Sequence, residues 1–311
     1  MIASAYLAAP DFETQLAEEL DRRGAAISSW HGRLALSPDP SVPSAWAQEV
    51  WTAPRLIEIA SIKSAADALR AIQRNWGAYE AGHHRRMALI AERLPPVKPR
   101  LLRFPELPPT SHLGAWTLLA PGTLLASPTT TSPFINGEIA FEEDHIGPPS
   151  RAYLKLWEAF TRMRTWPLPG EHCIDLGATP GGWTWAAASL GAQVLAIDKA
   201  PLAPEVAAMP GVTFRAGSAF AEPPVPMNWL LCDVIAYPER SLRMVQAWIA
   251  AGAPRHIVCS IKFQGATDHA AAEAFAAIQG GRVAHLCHNK HELTFMWSAC
   301  AAEDPVLPPH P

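Results

Sequence analysis

Apolar and amphipathic segments alternate along the second half of the chain. Nearly all-apolar segments begin at His172, Ala192, Val212, Asn228 and His256, and segments with helical spacing separate most of them. Apolar strands separated by helices indicate a parallel sheet that is covered on both faces. The last two apolar segments are joined by too few residues for a crossover, so they should form an antiparallel hairpin. The pattern predicts an α/β fold with a Rossmann-like sheet, parallel with one antiparallel strand at its end.

The first half of the chain is less regular. A strand over residues 1–9 and helices over 10–24 and 64–79 indicate a small mixed α/β domain. Proline, serine and threonine then become frequent, which predicts a linker with irregular strands rather than a helix. The predicted division is a small N-terminal domain, a Pro-rich linker, a larger α/β domain and a tail, over residues 1–95, 96–149, 150–303 and 304–311.

The composition narrows the class of protein. The chain has 311 residues, of which 49% are hydrophobic, so it can bury a sizeable core, and its length favours two domains over one. Because the formal net charge is -4, any contact with nucleic acid must come from a local basic patch.

The cysteines and the first residues bear on the compartment. Five cysteines, an odd number without any C-x-x-C pair, are typical of buried thiols in a reducing environment. The start MIASAYLAAPDFE has no basic segment, and no run of about 18 apolar residues occurs in the sequence. We therefore expect a cytoplasmic protein that does not span a membrane, and we expect it to be a monomer.

A glycine-rich turn, in CIDLGATPGGWTW, joins the first strand of the large domain to a helix. In the dinucleotide fingerprint the second of three glycines lets the backbone approach a pyrophosphate. Here Gly177 and Gly182 fill the outer positions, but Thr179 fills the middle one, where a side chain obstructs a pyrophosphate. S-adenosylmethionine has no phosphate, and Asp198 stands where an acid can accept hydrogen bonds from ribose hydroxyls. Taken alone, the motif is equally compatible with an ordinary strand-to-helix turn.

Four charged residues stand where purely structural residues are unexpected. Asp233 and Lys262 end apolar strands, and Glu292 begins the antiparallel strand, so all three belong at the rim where ligands of α/β sheets bind. Lys155 lies on the helix before the first strand and can project over that rim. Each charge taken singly is explained by solvation at a strand end. Together they indicate a site for proton transfer.

These motifs carry a resemblance to a known family. SRAYLKLWEAF, DLGATPGGW, CDV, SIK and KHELTF occur in the same order as in the FtsJ-type RNA 2'-O-ribose methyltransferases, and the resemblance covers about residues 150–297. It implies a class I S-adenosylmethionine-dependent methyltransferase sheet, and it implies that the larger domain is catalytic. It further implies a catalytic tetrad of Lys155, Asp233, Lys262 and Glu292. The implied cofactor-binding residues are Gly177, Thr179, Pro180, Gly181, Gly182, Trp183, Asp198 and Asp233.

The resemblance also implies a mechanism, and the chain departs from the family's residue pattern at one position. A ribose 2'-hydroxyl must lose its proton to become a nucleophile, and Lys262 is implied as the base. An ordinary lysine is protonated at pH 7, so burial, the sulfonium and Lys155 should together favour its neutral form. The family usually has an acid that contacts adenine near the third strand, whereas this chain has Ser218. We therefore expect this chain to bind the cofactor more weakly than a chain with the acid.

The acceptor is defined less closely than the chemistry. The resemblance implies RNA, most specifically large-subunit 23S ribosomal RNA with a cytidine as one candidate. It also implies an RNA-binding THUMP domain, but residues 1–95 are too short to contain a full copy. Residues 55–103 carry ten Lys/Arg against four Asp/Glu. Aromatic rings there can stack on bases, although a solvated basic helix face explains the charges equally well. The rings belong to Trp76, Tyr79, His83 and His84.

Two clusters of polar residues suggest other chemistry. His285, Cys287, His288 and His291 suggest a metal cluster, but a strand would place neighbouring residues on opposite faces, so we expect no metal site. Ser260, Asp268 and His269 suggest a hydrolase triad, but the sequence has no G-x-S-x-G elbow, so we do not expect a hydrolase. Two other functions remain as alternatives: an NAD-dependent oxidoreductase, and a catalytically silent RNA-binding assembly protein with the same fold.

Overall fold

The computed structural model describes residues 2–299, and the predicted tail 304–311 lies outside the described residues. The chain forms two compact units. Among the described residues, the first contains 2–102 and 108–140, and the second contains 103–107 and 141–299. This division differs from the predicted one, because much of the predicted linker over 96–149 belongs to the first unit.

The first unit holds two four-stranded sheets. One is antiparallel with strand order β2-β3-β1-β4, and the other has the order β5-β9-β8-β6, in which β6 and β8 are parallel. The elements are β1 (Ser4–Ala8), α1 (Glu13–Arg22), β2 (Ser29–His31), β3 (Leu34–Ser37), β4 (Ala47–Trp51), β5 (Arg55–Glu58), α2 (Ile62–Ile72), β6 (Trp76–Ala78), α3 (His84–Ala91), β7 (Leu101–Leu102), β8 (Gly114–Ala120) and β9 (Thr123–Ser127).

Two predictions for this region are corrected by the structure. The segment with many Pro, Ser and Thr residues contains β8 and β9, whose inward residues Trp116 and Leu124 are buried in the core of the unit. The helix predicted over 64–79 ends at Ile72, because Gln73 is extended, and the chain then forms β6. Trp76 and Gly77 on that strand pair with β8, so tertiary pairing overrides the helical spacing.

The second unit is built on one seven-stranded sheet of order β13-β12-β11-β14-β15-β17-β16. Strands β11 to β15 run parallel, and β17 is antiparallel to both of its neighbours, so the predicted fold class is confirmed. Its elements, with β10 at the boundary of the units, are β10 (Ala140–Phe141), α4 (Tyr153–Met163), β11 (His172–Leu176), α5 (Gly182–Ala188), β12 (Gln193–Asp198), α6 (Pro204–Ala207), β13 (Val212–Ala216), β14 (Met227–Cys232), α7 (Pro238–Ala250), β15 (Pro254–Lys262), α8 (His269–Ala276), β16 (Gly281–Ala284) and β17 (Glu292–Ser298).

The central strands of this sheet are buried on both faces. Leu230 and Leu231 on β14 and Ile257 and Val258 on β15 are fully buried, as near-continuous apolar strands predict. Reversal of the last strand has a consequence for the polar residues. The register pairs Lys262, at the end of β15, with Glu292, at the start of β17. The sheet thus brings an acid and a base together at the carboxyl ends of its parallel strands.

Two further observations bear on the class of protein. The thiols of Cys173, Cys232 and Cys259 are buried and form no disulfide, whereas Cys300 lies outside the described residues. Within residues 2–299, no helix is both long enough and apolar enough to cross a membrane.

Candidate active site

The glycine-rich turn brings the ends of two central strands together. Gly177 follows β11 with φ +76°, and a Cβ built on it would lie 2.8 Å from the Cα of Val234. The backbone amide of Asp233 donates to the backbone oxygen of Leu176 at 3.2 Å. Only glycine combines the left-handed conformation with so close an approach. The turn therefore sets the position of Asp233 as well as its own shape.

The middle of the turn is held by an acid on the next strand. The backbone amide of Thr179 donates to Oδ2 of Asp198 at 3.0 Å, and the Thr179 hydroxyl donates to the backbone oxygen of Ala200 at 2.6 Å. The amide of Lys199 donates to the other oxygen of Asp198 at 2.6 Å. These bonds fix the carboxylate of Asp198, and each of its oxygens retains lone pairs that can accept a further hydrogen bond.

A cavity of about 400 Å³ opens at the carboxyl ends of the strands. Its volume lies in the range typical of small-ligand sites. Of the sequence-predicted residues, Gly177, Thr179, Asp198, Asp233 and Lys262 line it. The remaining lining residues are Ile197, Lys199, Gly217, Ser218, Ala219, Phe220, Val234, Ile235 and Arg240.

The other residues predicted to bind the cofactor lie on the far part of the turn and in α5. Gly181 precedes the helix with φ +117°, and a Cβ on it would lie 2.9 Å from Val206. A Cβ on Gly182 would lie 2.8 Å from the Ser150 hydroxyl. Trp183 is buried and its indole donates to the backbone oxygen of Ala152 at 2.9 Å. Gly181, Gly182 and Trp183 therefore serve close packing in this structure, and Pro180 is likewise outside the cavity lining.

Asp233 is the centre of the four predicted catalytic side chains. Its Oδ1 accepts from Nζ of Lys155 at 3.0 Å and lies 3.0 Å from Nζ of Lys262. Lys262 also donates to the backbone oxygen of Asp233 at 2.7 Å. Glu292 joins through Lys155, whose Nζ donates to its Oε1 at 3.0 Å. The structure thus brings all four residues into one hydrogen-bonded group.

The two lysines occupy different positions in this group. Lys155 is buried at 7% exposure, lies between the two carboxylates, and its ammonium is 5.8 Å from the centre of the Trp183 ring. Lys262 is more exposed and lines the cavity. Lys262 is therefore the lysine that a bound ligand would meet, and Lys155 lies behind it among the acids.

Charge and burial act against each other in this group, and charge dominates. Burial lowers the pKa of Lys155, but the negative charges of Asp233 and Glu292 and the hydrogen bonds to them outweigh it, so the pKa is raised. Burial raises the pKa of Asp233, but Lys155, Lys262 and the Ser260 hydroxyl outweigh it, so this pKa is lowered. Lys155 stays protonated and Asp233 stays ionised at neutral pH.

Sequence reasoning missed the role of Ser260 and two residues of the cavity wall. The Ser260 hydroxyl donates to Oδ1 of Asp233 at 2.6 Å. The signal for it was strand alternation, because Ser260 and Lys262 lie two residues apart and share a face of β15. The guanidinium of Arg240 stacks 3.9 Å from the centre of the Phe220 ring, and both residues line the cavity. No short-range pattern connects these two residues.

The residues weighed for other chemistry have structural partners. His285 pairs with the backbone oxygen of Lys290 at 3.1 Å, and His291 pairs with the Thr267 hydroxyl at 2.8 Å. Asp268 caps α8 by accepting from the amide of Ala271. Within residues 2–299, no group of three or more His, Cys, Asp or Glu side chains is arranged to hold a metal ion.

Of the four aromatic residues in the basic segment, two are buried and two are exposed. Trp76 and Tyr79, predicted to be able to stack on bases, are buried at 4% and 6% exposure, so that prediction is wrong for these two rings. The Trp76 indole donates to the backbone oxygen of Leu69, and the Tyr79 hydroxyl accepts from the amide of Arg33. The rings of His83 and His84 are exposed.

Comparison with known proteins is consistent with this geometry. Residues 148–294 match the model of the family described as FtsJ-like methyltransferase. The ribosomal RNA large subunit methyltransferase M of Halorhodospira halophila is 38% identical over 155 residues, which are 47% of this chain and 46% of that protein. The protein of the same name from Alkalilimnicola ehrlichii is 34% identical over 169 residues, which are 49% of this chain and 47% of that protein.

The chain spans about half the length of the curated relatives that it matches. The match falls within the second unit, where the motifs that resemble the family also lie. The resemblance inferred from those motifs is confirmed over this span. Residues 148–294 of the second unit are therefore similar to the FtsJ-like methyltransferases.

Proposed function

We propose that this protein is an S-adenosylmethionine-dependent 2'-O-ribose methyltransferase that acts on RNA, most specifically on 23S ribosomal RNA. The observation that carries the proposal is the hydrogen-bonded group of Lys155, Asp233, Lys262 and Glu292 beside the cavity. Two cations and two carboxylates held in one group, with one lysine facing a ligand cavity, are suited to proton transfer at a bound substrate.

The residues of the cavity fit S-adenosylmethionine. Bound there, the cofactor would supply a methyl group already activated by a sulfonium. Gly177 lets the backbone come close to a ligand, and Asp198 is fixed where its carboxylate can accept from ribose hydroxyls. Ser218 would stand where the family usually has an acid. A hydroxyl can bind a purine edge, although without a negative charge.

The same turn is poorly suited to a pyrophosphate. The amide of Thr179 already donates to Asp198, and the side chain of Thr179 occupies the position that a dinucleotide site leaves to glycine. Binding a pyrophosphate needs backbone amides that are directed at the anion. The NAD-dependent oxidoreductase is therefore the weaker of the two enzyme hypotheses.

Lys262 is proposed as the base that removes the 2'-hydroxyl proton. It lines the cavity, and its amine donates to the backbone oxygen of Asp233 and lies 3.0 Å from Oδ1 of the same residue, so the main chain and the side chain of Asp233 both orient it. A lysine acts as a base only in its neutral form, in which the amine nitrogen has a free electron pair to accept the proton. Placing the base within hydrogen-bond reach of the hydroxyl is the main contribution expected of the protein.

The remaining side chains would position this base. Lys155 neutralises Asp233 and Glu292, so two carboxylates can lie close together without strong repulsion. Ser260 donates to the same oxygen of Asp233 that lies near Lys262, which fixes the rotamer of the carboxylate. Asp233 is therefore proposed to orient the lysine rather than to accept the substrate proton, since its pKa is lowered.

RNA is the proposed acceptor on two grounds. Both relatives described above carry the name of a ribosomal RNA large subunit methyltransferase. The first unit exposes basic and aromatic side chains on its surface, among them Arg85, His83 and His84. Arg70 is less available to RNA, since it is paired with Asp67. We propose that the first unit contributes to RNA binding.

Calorimetry with S-adenosylmethionine and with NAD tests the cofactor part of this proposal. We expect heat of binding with S-adenosylmethionine and none with NAD. Binding of NAD alone would favour the oxidoreductase. Binding of S-adenosylmethionine without any methyl transfer to RNA would favour the catalytically silent assembly protein.

A further inference from the structure

Two large apolar side chains are exposed directly after Asp233. Ile235 is 78% exposed and Tyr237 is 63% exposed, whereas the residues that alternate with them, Ala236 and Pro238, are buried. The buried pair anchors the segment to the unit, so Ile235 and Tyr237 are displayed to solvent on a fixed backbone.

The backbone at Tyr237 is further fixed by the helix that follows it. Its carbonyl oxygen accepts from the amide of Arg240 at 3.0 Å in the first turn of α7, and Pro238 stands at the first position of the helix. Proline restricts φ, so this junction has little conformational freedom. Any partner would therefore meet a side chain on a backbone that is already ordered, which lowers the entropy cost of binding.

The pair lies beside the proposed chemistry. Ile235 lines the same cavity as Asp233 and Lys262. Tyr237 follows Asp233 by four residues, so its Cα is at most about 14 Å away. Within the described part of the second unit, Ile146, Leu168 and Val225 are also exposed. Ile146 lies alone in the loop between β10 and α4, and Leu168 and Val225 precede β11 and β14 and so belong at the amino ends of the parallel strands. Single exposed apolar residues are ordinary, whereas a pair at the catalytic rim is not explained by that rule.

The chemistry of the acceptor suggests what covers the pair. In a ribonucleotide the base is attached to the ribose carbon next to the one that carries the 2'-hydroxyl. When that hydroxyl is beside Lys262, the base must lie at the same rim. Aromatic and apolar side chains at such a place stack on unpaired bases, and stacking accepts any base because every base has a π face.

We propose that Ile235 and Tyr237 form a stacking platform for the base of the acceptor nucleotide. The proposal rests on the proposed function and extends it, because it requires an acceptor whose base is out of its helical stack. It also implies that the platform selects single-stranded or extruded nucleotides and not a particular base.

Steady-state methylation kinetics test the platform. The substrate is 23S ribosomal RNA transcribed in vitro and hence unmodified, and the variants are Tyr237→Ala, Tyr237→Phe and Leu168→Ala. Loss of the ring in Tyr237→Ala should raise KM for RNA about tenfold with a smaller effect on kcat. Tyr237→Phe, which keeps the ring, and the control Leu168→Ala should behave like the unaltered protein. Calorimetry should give the same affinity for S-adenosylmethionine in all four proteins.

A second measurement separates failure of the platform from failure of the proposed function. The unaltered protein and Tyr237→Ala are titrated with a labelled single-stranded RNA oligonucleotide in the presence of S-adenosylmethionine, and fluorescence anisotropy is followed. Weaker RNA binding by Tyr237→Ala supports the platform even if no methyl transfer is found, in which case the proposed function alone fails. Unchanged KM and unchanged anisotropy overturn the platform, and weakened cofactor binding would assign Tyr237 to the cofactor instead.

Discussion

Nζ of Lys262 donates a hydrogen bond of 2.7 Å to the backbone oxygen of Asp233 and lies 3.0 Å from Oδ1 of the same residue. The lysine thus bridges the ends of two adjacent parallel strands through both main chain and side chain. A lysine held in this way is poised over the cavity with little freedom to move, which is what a positioned base requires.

Replacement of this lysine should separate chemistry from binding. We expect Lys262→Ala to abolish methyl transfer to RNA while the affinity for S-adenosylmethionine, measured by calorimetry, stays nearly unchanged. Lys262→Arg should be equally inactive, because a guanidinium is not deprotonated in proteins. Turnover at the rate of the unaltered protein in Lys262→Ala would remove Lys262 from the role of base.

Lys155 should be important for stability as well as for catalysis. Lys155→Met leaves the partly buried carboxylate of Asp233 and the buried carboxylate of Glu292 without their shared cation, so the free energy of unfolding at pH 7 should fall by about 3 kcal/mol. Urea unfolding measures it. The loss of stability should become smaller at low pH, where protonation of Asp233 removes its negative charge.

A surface ion pair supplies the control for that experiment. Arg103 and Glu142 are paired at 2.7 Å but are 77% and 48% exposed, so Arg103→Met should change the stability very little. An equal loss of stability in both variants would show that Lys155 is not a buried neutralising group.

Gly177 and Gly170 allow steric crowding to be separated from backbone strain. Both have positive φ, +76° and +82°, but a Cβ on Gly170 would have open space around it whereas one on Gly177 would overlap the backbone of Val234. Gly170→Ala should cost about 1 kcal/mol from the left-handed conformation alone. Gly177→Ala should cost clearly more and should also weaken binding of S-adenosylmethionine. Equal effects in unfolding and calorimetry would contradict the close approach.

Asp175 should make stability depend on pH. It is fully buried on β11, and burial raises its pKa from the ordinary value of 3.8 to about 7, against the effect of a hydrogen bond from Thr184. Between these values the unfolded chain is ionised there while the folded chain keeps the proton. Its contribution to stability is therefore complete below about pH 3.8 and is lost as the pH rises to about 7.

The variant Asp175→Asn should remove this dependence, because it keeps an acceptor for the Thr184 hydroxyl but does not titrate. Urea unfolding across that pH range should show a flatter profile for Asp175→Asn than for the unaltered protein, with the largest gain in relative stability near neutral pH. Parallel profiles for the two proteins would show that the buried carboxyl is not protonated in the folded state.

The second unit was largely predictable from the sequence, for a physical reason. Its strands are buried on both faces, so each appears as an apolar run, and polar residues at the ends of such runs stand out. Asp233, Lys262 and Glu292 were found in this way, and the reversal of β17 that pairs Lys262 with Glu292 followed from the short connection before it. The topology of the sheet alone places the Cα atoms of these three residues at the carboxyl ends of the parallel strands.

The features that the sequence did not predict depend on contacts between distant parts of the chain. Nothing near Trp76 in the sequence reveals that it pairs with β8 and joins a core, so the sequence predicts a base-stacking ring where the structure has a core residue. The stacking of Arg240 on Phe220 likewise joins α7 to the segment after β13. Helical spacing and charge counts report local tendencies, and they cannot show which tertiary partner replaces solvent.

The most direct test of the central claim is the identity of the methylated nucleoside. The protein is incubated with isotope-labelled S-adenosylmethionine and unmodified 23S ribosomal RNA, and the RNA is digested to nucleosides for mass spectrometry. We predict that the label appears in a 2'-O-methyl nucleoside, with 2'-O-methylcytidine as the candidate, and that Lys262→Ala leaves the RNA unlabelled. Label on a base, or no label on the RNA although the cofactor binds, would contradict the proposed function.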